Sequence, residues 1–222
     1  MNNSVPNTAR LLGAGLRALL VLTLVTGVLY PLVVTGIAQG LFHDNANGSE
    51  IKADGRVVGS SLIGQAYNLP LKEGEETPAP DLKWFQGRPQ NGLGTSSVNT
   101  QYQLILSGAT NRSGDNEELV QWVKDAKAAV VKDNSTGTFK VKPSQVPADA
   151  VTSSGSGLDP DISPQYADLQ VHRVAEKNGL SVAEVQKLVD EHTEGRTLGF
   201  MGEPRVNVLE LNIALKELTA KS

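Results

Sequence analysis

The stretch from Ala18 to Phe42 carries no charged residue, and this feature constrains the chain more than any other. As a helix it would extend over about 37 Å, enough to cross a hydrocarbon core of about 30 Å. A cleaved signal peptide is the alternative, because Gly36-Ile37-Ala38 offers small residues around a cut. The apolar part of a signal peptide spans only about 7–15 residues, however. We therefore predict a short terminus over residues 1–17, a transmembrane helix over residues 18–42 and a soluble domain over residues 43–222.

Basic residues on either side of the helix set its expected orientation. Arg10, Arg17 and the terminal amine precede the helix, and Lys52 and Arg56 follow it. Because basic residues beside a membrane helix favour the cytoplasmic side, this count favours a cytoplasmic N-terminus by a small margin. The chain would then be a single-pass protein of the inner (plasma) membrane. Its domain over residues 43–222 is expected to be extracytoplasmic, and periplasmic where the cell has a periplasm.

One face of the predicted helix carries small and hydroxyl residues. Thr23, Gly27 and Tyr30 follow one another at positions i, i+4 and i+7, so they share one side of an α-helix. Such residues let a second helix approach closely and form hydrogen bonds across the contact. They are therefore candidates for packing against a partner helix. The alternative is that glycine and threonine are simply frequent in membrane helices, and Pro31 is expected to kink this one.

The charge of the remaining chain excludes some partners. After residue 42 there are 18 basic and 24 acidic residues, a balance of −6, against −4 for the whole chain. Nucleic-acid binding needs clustered Lys and Arg, so we expect no nucleic-acid partner. The chain has no cysteine, which excludes disulfides, thiolate zinc sites and cysteine nucleophiles.

The pattern of apolar residues after the transmembrane helix predicts one α+β domain. Start signals are present at Ser163, which precedes Pro164, and at Ser181, which has Glu184 three residues later. Helices are indicated by apolar residues at helical spacing over residues 117–132, 164–177, 181–192 and from about residue 207. Short strands are predicted over residues 56–58, 61–63 and 138–142. Residues 68–83 are expected to form a solvated loop, and residues 90–116 to be irregular.

The sequence contains no catalytic or metal-binding pattern that we recognise. His43, His172 and His192 lack the i, i+4 spacing of a zinc site on a helix. Ser153, Ser154 and Ser156 lie between glycines without forming the G-x-S-x-G turn of serine hydrolases. The G-x-x-x-x-G-K-[ST] loop that binds phosphates is absent as well. We therefore predict no catalytic residue and no metal ligand.

Two segments could in principle contact phosphates. The run from Val58 to Gln65 is rich in glycine and serine, and its backbone amides could wrap a phosphate. Its spacing alone favours a tight connection between strands. The predicted helices over residues 164–177 and 181–192 have the arrangement of a DNA-binding pair, but the second carries three acids against Lys187. An excess of negative charge repels phosphate, so we expect the two helices to form a packing hairpin that does not bind DNA.

Seven blocks of sequence follow a recognisable order along nearly the whole chain. They are Tyr30-Pro31, Ala46–Ser49, Val58–Gln65, Phe85–Pro89, Val151–Pro164, His192–Arg196 and Gly202–Leu209. Blocks of this length, in this order, are highly specific. On them the chain resembles the KdpC family, the C subunits of the Kdp-type potassium-importing P-type ATPases of bacteria.

The resemblance implies a subunit that is not an enzyme by itself. In this family of complexes a channel-like subunit binds potassium, and a separate P-type subunit hydrolyses ATP through a phosphorylated Asp. The present chain has no Asp-Lys-Thr-Gly-Thr motif, so it is not that catalytic subunit. The implied partners are these two subunits and the lipid bilayer.

Two functions follow from the resemblance. In the first, the chain is an accessory subunit that assembles and stabilises the channel-like and ATP-hydrolysing subunits. In the second, it is a catalytic chaperone that raises the ATP affinity of the catalytic subunit, and Ser60, Ser61, Gly64 and Gln65 contact the nucleotide. The resemblance implies no tightly bound cofactor, and ATP would lie at the interface with the catalytic subunit. The location of the domain distinguishes the two functions, because a domain outside the cytoplasm meets no ATP.

Overall fold

The computed structural model describes residues 4–71, 73–74, 78–89, 107–108 and 112–221. The chain divides into two compact units, Met1–Glu50 and Ile51–Ser222. Most of the stretch over residues 90–116, which is predicted to be irregular, lies outside the described residues, as does part of the predicted 68–83 loop. In the described part of that loop, Asn68 pairs with Pro80 in an isolated bridge.

The first unit is dominated by one long helical segment. It consists of α1 (Ser4–Leu24), a π-helical turn (Val25–Leu29) and α2 (Tyr30–Leu41), and a short α3 (His43–Ala46) follows it. By length and composition, Pro6–Leu41 could cross a membrane. The helix begins well before residue 18, since neither Arg10 nor Arg17 interrupts it. At about 1.5 Å per residue it extends over roughly 55 Å, so its first turns can lie beyond a hydrocarbon core of about 30 Å.

The π-helical turn lies directly before Pro31. The backbone N–H of Tyr30 donates to the carbonyl of Val25, which is five residues earlier. Proline has no N–H to give to the carbonyl four residues earlier, here that of Gly27, and its ring crowds that carbonyl. A wider turn at this point relieves the crowding, as π turns inside α-helices commonly do. The irregularity expected at Pro31 is therefore found in the turn that precedes it.

The second unit begins with a β-hairpin. Strands β1 (Glu50–Ala53) and β2 (Arg56–Ser60) pair with each other, and Asp54 and Gly55 connect them with φ values of 52° and 74°. Two positive φ values in a row are typical of a type I′ turn, for which Asp-Gly is a favoured sequence. The predicted strand over residues 61–63 is wrong. These residues form a turn, because the amides of Leu62 and Ile63 both bond back to Ser60.

All four predicted helices of the domain are present. They are α4 (Glu117–Asn134), α5 (Pro164–Asn178), α6 (Val182–Glu191) and α7 (Val208–Lys221). Ser163 accepts a hydrogen bond from the amide of Tyr166, and Ser181 and Glu184 form the expected capping box. Gly179 ends α5 with a φ of 68°, which lets α6 turn back against α5 as a packing hairpin.

A small antiparallel sheet, which the sequence did not indicate, connects three distant segments. Its strands are β3 (Asp161–Ile162), β4 (Thr193–Glu194) and β5 (Arg205–Asn207), with β5 in the centre. Ile162 and Thr193 both lie opposite Val206, which is fully buried. Strands of two or three residues leave almost no periodic pattern in a sequence, so they escape prediction.

The core of the domain lies between α5, α6, α7 and the segment around Phe85. Phe85, Val174, Val185, Leu211 and Leu215 are fully buried there.

The strand predicted over residues 138–142 is wrong. The predicted alternation is real, since Val141 is buried and Phe139 packs against the core. However, the amides of Phe139 and Val141 bond to the hydroxyl groups of Thr136 and Ser135. The segment is therefore held by side chains and does not pair with another strand.

Candidate functional site

The four candidate nucleotide-contact residues lie at the end of β2 and in the turn after it. Ser60 is the last residue of β2, and its hydroxyl oxygen accepts the amide of Leu62 at 3.1 Å. The amide of Ile63 donates to the Ser60 carbonyl at 3.3 Å, and that of Gly64 donates to the Leu158 carbonyl at 2.8 Å. Three consecutive amides that could cradle a phosphate thus have acceptors within the chain. A phosphate would have to replace these bonds, and nucleotide contact here stays a prediction.

The side chain of Gln65 folds back over the strand that precedes it. Its Nε2 donates to the carbonyl of Val58 at 2.8 Å, and its amide lies directly over Gly59. A Cβ on Gly59 would lie 2.0 Å from the Gln65 Nε2 and 2.8 Å from Cδ2 of Leu209. Glycine is therefore required at position 59 because Gln65 and α7 occupy the space beside it.

Asn207 joins this turn to the small sheet. Its Nδ2 donates to the carbonyl of Ser61 at 2.9 Å and to Oδ1 of Asp161 at 3.3 Å. Its own Oδ1 accepts the amide of Glu210 at 3.2 Å, so the same side chain also caps α7. Three of the blocks that carry the resemblance therefore meet at one asparagine.

Arg88 holds the longest block in place. Its Nη1 lies 2.9 Å from Oδ2 of Asp159, and its Nη2 and Nε donate to the carbonyls of Ser153 and Thr152. The other carboxylate oxygen of Asp159 accepts the amide of Asp161 at 3.0 Å. One guanidinium thus fixes both ends of the loop that connects residue 152 to β3.

The acids beside this loop have partners as well. Both oxygens of Asp149 accept hydrogen bonds from Ser163, from its amide at 2.7 Å and from its hydroxyl at 3.0 Å. Arg205 bridges Asp161, at 3.1 Å, and Glu194, at 2.7 Å. Burial raises the pKa of Asp161, and the attraction of Arg205 lowers it by less. An open cavity of about 500 Å³ borders these groups, and its charged lining consists of Arg88, Asp149, Asp159, Asp161, Glu203 and Arg205.

A buried polar framework holds the backbone of residues 82–86, and we call this segment the strap. Asn212 exchanges two hydrogen bonds with the strap residue Phe85, at 2.9 Å to its N–H and 3.0 Å to its C=O. Gln170 does the same with Gln86, at 2.7 Å and 3.0 Å. These are the bonds that a neighbouring strand would make, but side chains of α5 and α7 make them.

Arg173 completes the framework through hydrogen bonds to backbone carbonyls and side-chain amides. It is 2% exposed and donates to the carbonyls of Leu82 and Trp84, to Gln170 and to Asn134. Because burial disfavours its charge, the pKa of Arg173 falls to about 10. We did not predict these residues, although polar side chains at positions 170 and 173, inside the apolar stripe of α5, were an available signal.

The candidate packing residues of the first helix lie before, within and after the π turn, at Thr23, Gly27 and Tyr30 respectively. Thr23 and Gly27 are neighbours, since a Cβ on Gly27 would lie 3.9 Å from Cγ2 of Thr23. Tyr30 follows the π turn, which sets the helix back by roughly a quarter of a turn. It is 66% exposed. The structure therefore keeps Thr23 and Gly27 on one face and moves Tyr30 away from it.

Among the described residues, no three His, Asp or Glu side chains lie together so that they could hold a metal ion. Two of the histidines take part in packing and capping. The ring of His172 stacks on Phe139 with centroids 4.0 Å apart, and Nδ1 of His192 lies 2.8 Å from the carbonyl of Leu188.

Comparison with known proteins identifies the family. The KdpC family model, described as K+-transporting ATPase, c chain, matches residues 12–217. A potassium-transporting ATPase KdpC subunit of Streptomyces avermitilis is 85% identical over all 222 residues and the whole length of both chains. The KdpC subunit of Streptomyces coelicolor is 78% identical, covering 99% of this chain and 98% of the relative. That of Caldanaerobacter subterraneus is 47% identical, covering 89% of this chain and 90% of the relative. The chain therefore belongs to the KdpC family, the c chains of K+-transporting ATPases.

Proposed function

We propose that the chain is a non-catalytic accessory subunit of an ATP-driven potassium import complex. In this role it assembles and stabilises the channel-like and ATP-hydrolysing subunits. Family membership supports the place in such a complex. The observation that carries the accessory role is a shared use of polar side chains, which bind the backbone of their own chain: Arg173, Gln170 and Asn212 in the framework, Arg88 at the 152–159 loop and Asn207 at the turn after β2. Polar side chains that bind the backbone of their own chain hold the loops of the domain in one conformation.

A fixed shape suits a protein that works by contact. Association costs less free energy when loops are already ordered before binding. Here the strap and the 152–159 loop have few regular strand bonds, and side chains order them instead. The domain can thus present irregular loops to partner subunits without ordering them at the moment of assembly.

The proposed location is the inner (plasma) membrane, with a single span and the second unit outside the cytoplasm. The support is the helical span Pro6–Leu41 and the basic residues before residue 18. Protease added to intact spheroplasts or protoplasts should digest the chain after Phe42. Full protection until the cells are lysed would reverse the orientation and place the domain where ATP is present.

Complementation of a strain that lacks the gene tests the accessory role. The full chain should restore growth at micromolar potassium, whereas growth at millimolar potassium should not need it. Residues 1–42 alone should restore neither this growth nor recovery of the complex in mild detergent. Full rescue by that fragment would show that the domain is dispensable.

The same strain also tests the catalytic-chaperone role. The complex that contains Gln65→Ala should reach half-maximal ATP hydrolysis at the same ATP concentration as the complex that contains the unmodified chain. A rise in that concentration, with normal recovery of all subunits, would favour nucleotide contact at Ser60, Ser61, Gly64 and Gln65. ATPase activity of the purified chain by itself would contradict the proposal that it is not an enzyme.

A further inference from the structure

The chain folds back on itself where it leaves the long first helix. Helix α2 ends at Leu41, and Phe42, with a φ of −136° and a ψ of 48°, separates it from the single turn of α3. The side chain of Asn47, which follows α3, reaches back to that of Gln39 in α2. In an uninterrupted helix, residues eight positions apart are separated by about 12 Å along the axis. The break at Phe42 is therefore what allows this contact.

Two hydrogen bonds join the side-chain amides of Gln39 and Asn47. Nε2 of Gln39 donates to Oδ1 of Asn47, and Nδ2 of Asn47 donates to Oε1 of Gln39, each at 3.2 Å. Nδ2 of Asn47 also donates to the carbonyl of His43 at 2.7 Å. One side chain thus connects α2 to the start of α3. A four-residue helix is not stable alone in water, so α3 depends on such contacts.

Further hydrogen bonds close the segment that follows α3. The amide of Ser49 donates to the carbonyl of Asp44 at 2.8 Å, and its hydroxyl donates to Oδ1 of Asn45 at 3.3 Å. Gly48 and Ser49 both have positive φ values, of 89° and 51°. Serine adopts this region at a cost in free energy, which the two bonds of Ser49 offset. We call residues 39–49 the hook.

The position of Gln39 in the uncharged stretch makes its pairing important. The apolar residues Leu41 and Phe42 follow it, so the Gln39 amide lies inside the end of the stretch over residues 18–42. An amide without a hydrogen-bond partner is costly in an apolar environment, because no water replaces the missing bonds. Asn47, which satisfies this amide, comes from beyond the stretch. The closed hook is therefore favoured more strongly at a membrane boundary than in water.

The hook also sets the length of free chain between the helix and the domain. Eight residues, 42–49, separate the end of α2 from the start of β1. When the hook is closed, only Gly48 and Ser49 remain between Asn47 and β1. The effective concentration of a tethered domain at its partners falls roughly as the −3/2 power of tether length. A fourfold longer tether thus corresponds to about an eightfold lower effective concentration.

We propose that the hook is a latch that keeps the domain on a short tether to the membrane of its partner subunits, with the Gln39–Asn47 pair as the closing contact. This inference rests on the proposed membrane location and accessory function, and it specifies how the first unit contributes to assembly. Opening the latch should weaken assembly without unfolding the domain, because Ile51–Ser222 is a compact unit of its own. Gln39 and Asn47 therefore act as positioning residues.

Cysteine cross-linking tests whether the hook is closed in the intact complex. The chain has no cysteine, so Gln39→Cys with Asn47→Cys introduces its only thiols. A short thiol-reactive cross-linker should join them in membranes that contain the whole complex, as detected by mass spectrometry. Ile37→Cys with Asn47→Cys is the matched control and should not cross-link, because residue 37 lies about 200° around the helix from residue 39. Equal yields from both pairs, or none from the first, would overturn the proposal.

Recovery of the partner subunits in mild detergent measures what the latch contributes. Asn47→Ala and Gln39→Ala should each lower this recovery by up to about eightfold. The double variant should lose no more than either, because both changes remove the same contact. Six glycine and serine residues inserted between Ser49 and Glu50 lengthen the tether with the hook closed, so they should cause a similar loss. Asn45→Ala, which leaves the Gln39 pair intact, should change recovery little.

A rescue experiment separates a latch from a general structural defect. Without cross-linker, Gln39→Cys with Asn47→Cys should lose partner subunits as Asn47→Ala does, and cross-linking before solubilisation should restore them. The urea unfolding curve of the domain should be the same for Asn47→Ala and the unmodified chain. Unchanged recovery with the alanine variants, or no rescue by the cross-link, would refute the latch but leave the accessory function standing. Rescue of growth by residues 1–42 alone would contradict the accessory function and, with it, the latch.

Discussion

The pairing of Asn212 with Phe85 allows a quantitative test of the buried framework. Asn212→Ala removes two hydrogen bonds and leaves the N–H and C=O of Phe85 without partners in a site where Phe85 is fully buried. Each unsatisfied buried group costs about 1–3 kcal/mol. For the two groups together we therefore expect a loss of about 2–6 kcal/mol in the free energy of unfolding. For a domain of this size that corresponds to a decrease in Tm of roughly 4–24 °C.

Asn178→Ala is the matched control. Asn178 also bonds to the backbone of the strap, at 2.8 Å to the carbonyl of Lys83, but at an exposed site. Water can replace that bond, so the loss should remain below about 1 kcal/mol. Thermal and urea unfolding of the full chain in detergent, followed by the fluorescence of Trp84 and Trp122, measures both variants. Equal, small losses would refute the view that Asn212 acts as a substitute for a neighbouring strand.

Three further predictions concern the turn after β2, the small sheet and the first helix. Gly59→Ala should destabilise the domain by about 1–3 kcal/mol, because its Cβ meets Gln65, and Gln65→Ala in the same chain should recover part of the loss in urea unfolding. Burial raises the folded-state pKa of Asp161, so its contribution to stability is complete below the unfolded pKa and is lost as the pH rises through the folded pKa. The free energy of unfolding of Asp161→Asn, measured from acid to neutral pH, should lack that decrease, and parallel curves would contradict the assignment. Gly27→Leu should reduce recovery of the partner subunits in mild detergent, because a bulky residue separates closely packed helices, while Gly13→Leu, four turns earlier, should not.

Local signals in the sequence predict the helices of the domain well. The caps at Ser163 and Ser181 and the glycine at position 179 act through neighbouring residues, so they can be recognised without knowledge of the fold. The alternation of Phe139 and Val141 correctly indicated burial but not a strand. Whether a segment pairs with another strand depends on what lies beside it, and a local pattern does not contain that information.

The candidate site was less accessible to prediction than the helices. The Gly59–Gln65 segment was identified, but the space beside Gly59 is also occupied by Leu209, 150 positions later in the chain. The framework around Arg173 joins residues as far apart as Leu82 and Asn134. Contacts of such separation follow from the assembled core and leave no spacing rule in the sequence.

The π turn at Val25–Leu29 acts as a one-residue insertion in an otherwise regular helix. A helical wheel drawn without a break through the turn therefore places the residues of α2 out of phase with those of α1. The residues of α1 and α2 should be assigned to helix faces separately. Deleting one residue within the turn would restore a continuous α-helix and leave α2 in nearly the same orientation relative to α1, because the wider turn already absorbs the extra residue. A change that made the turn α-helical without shortening the chain would instead rotate α2 by about 100°, so its side chains would face other directions although the sequence outside the turn stayed the same.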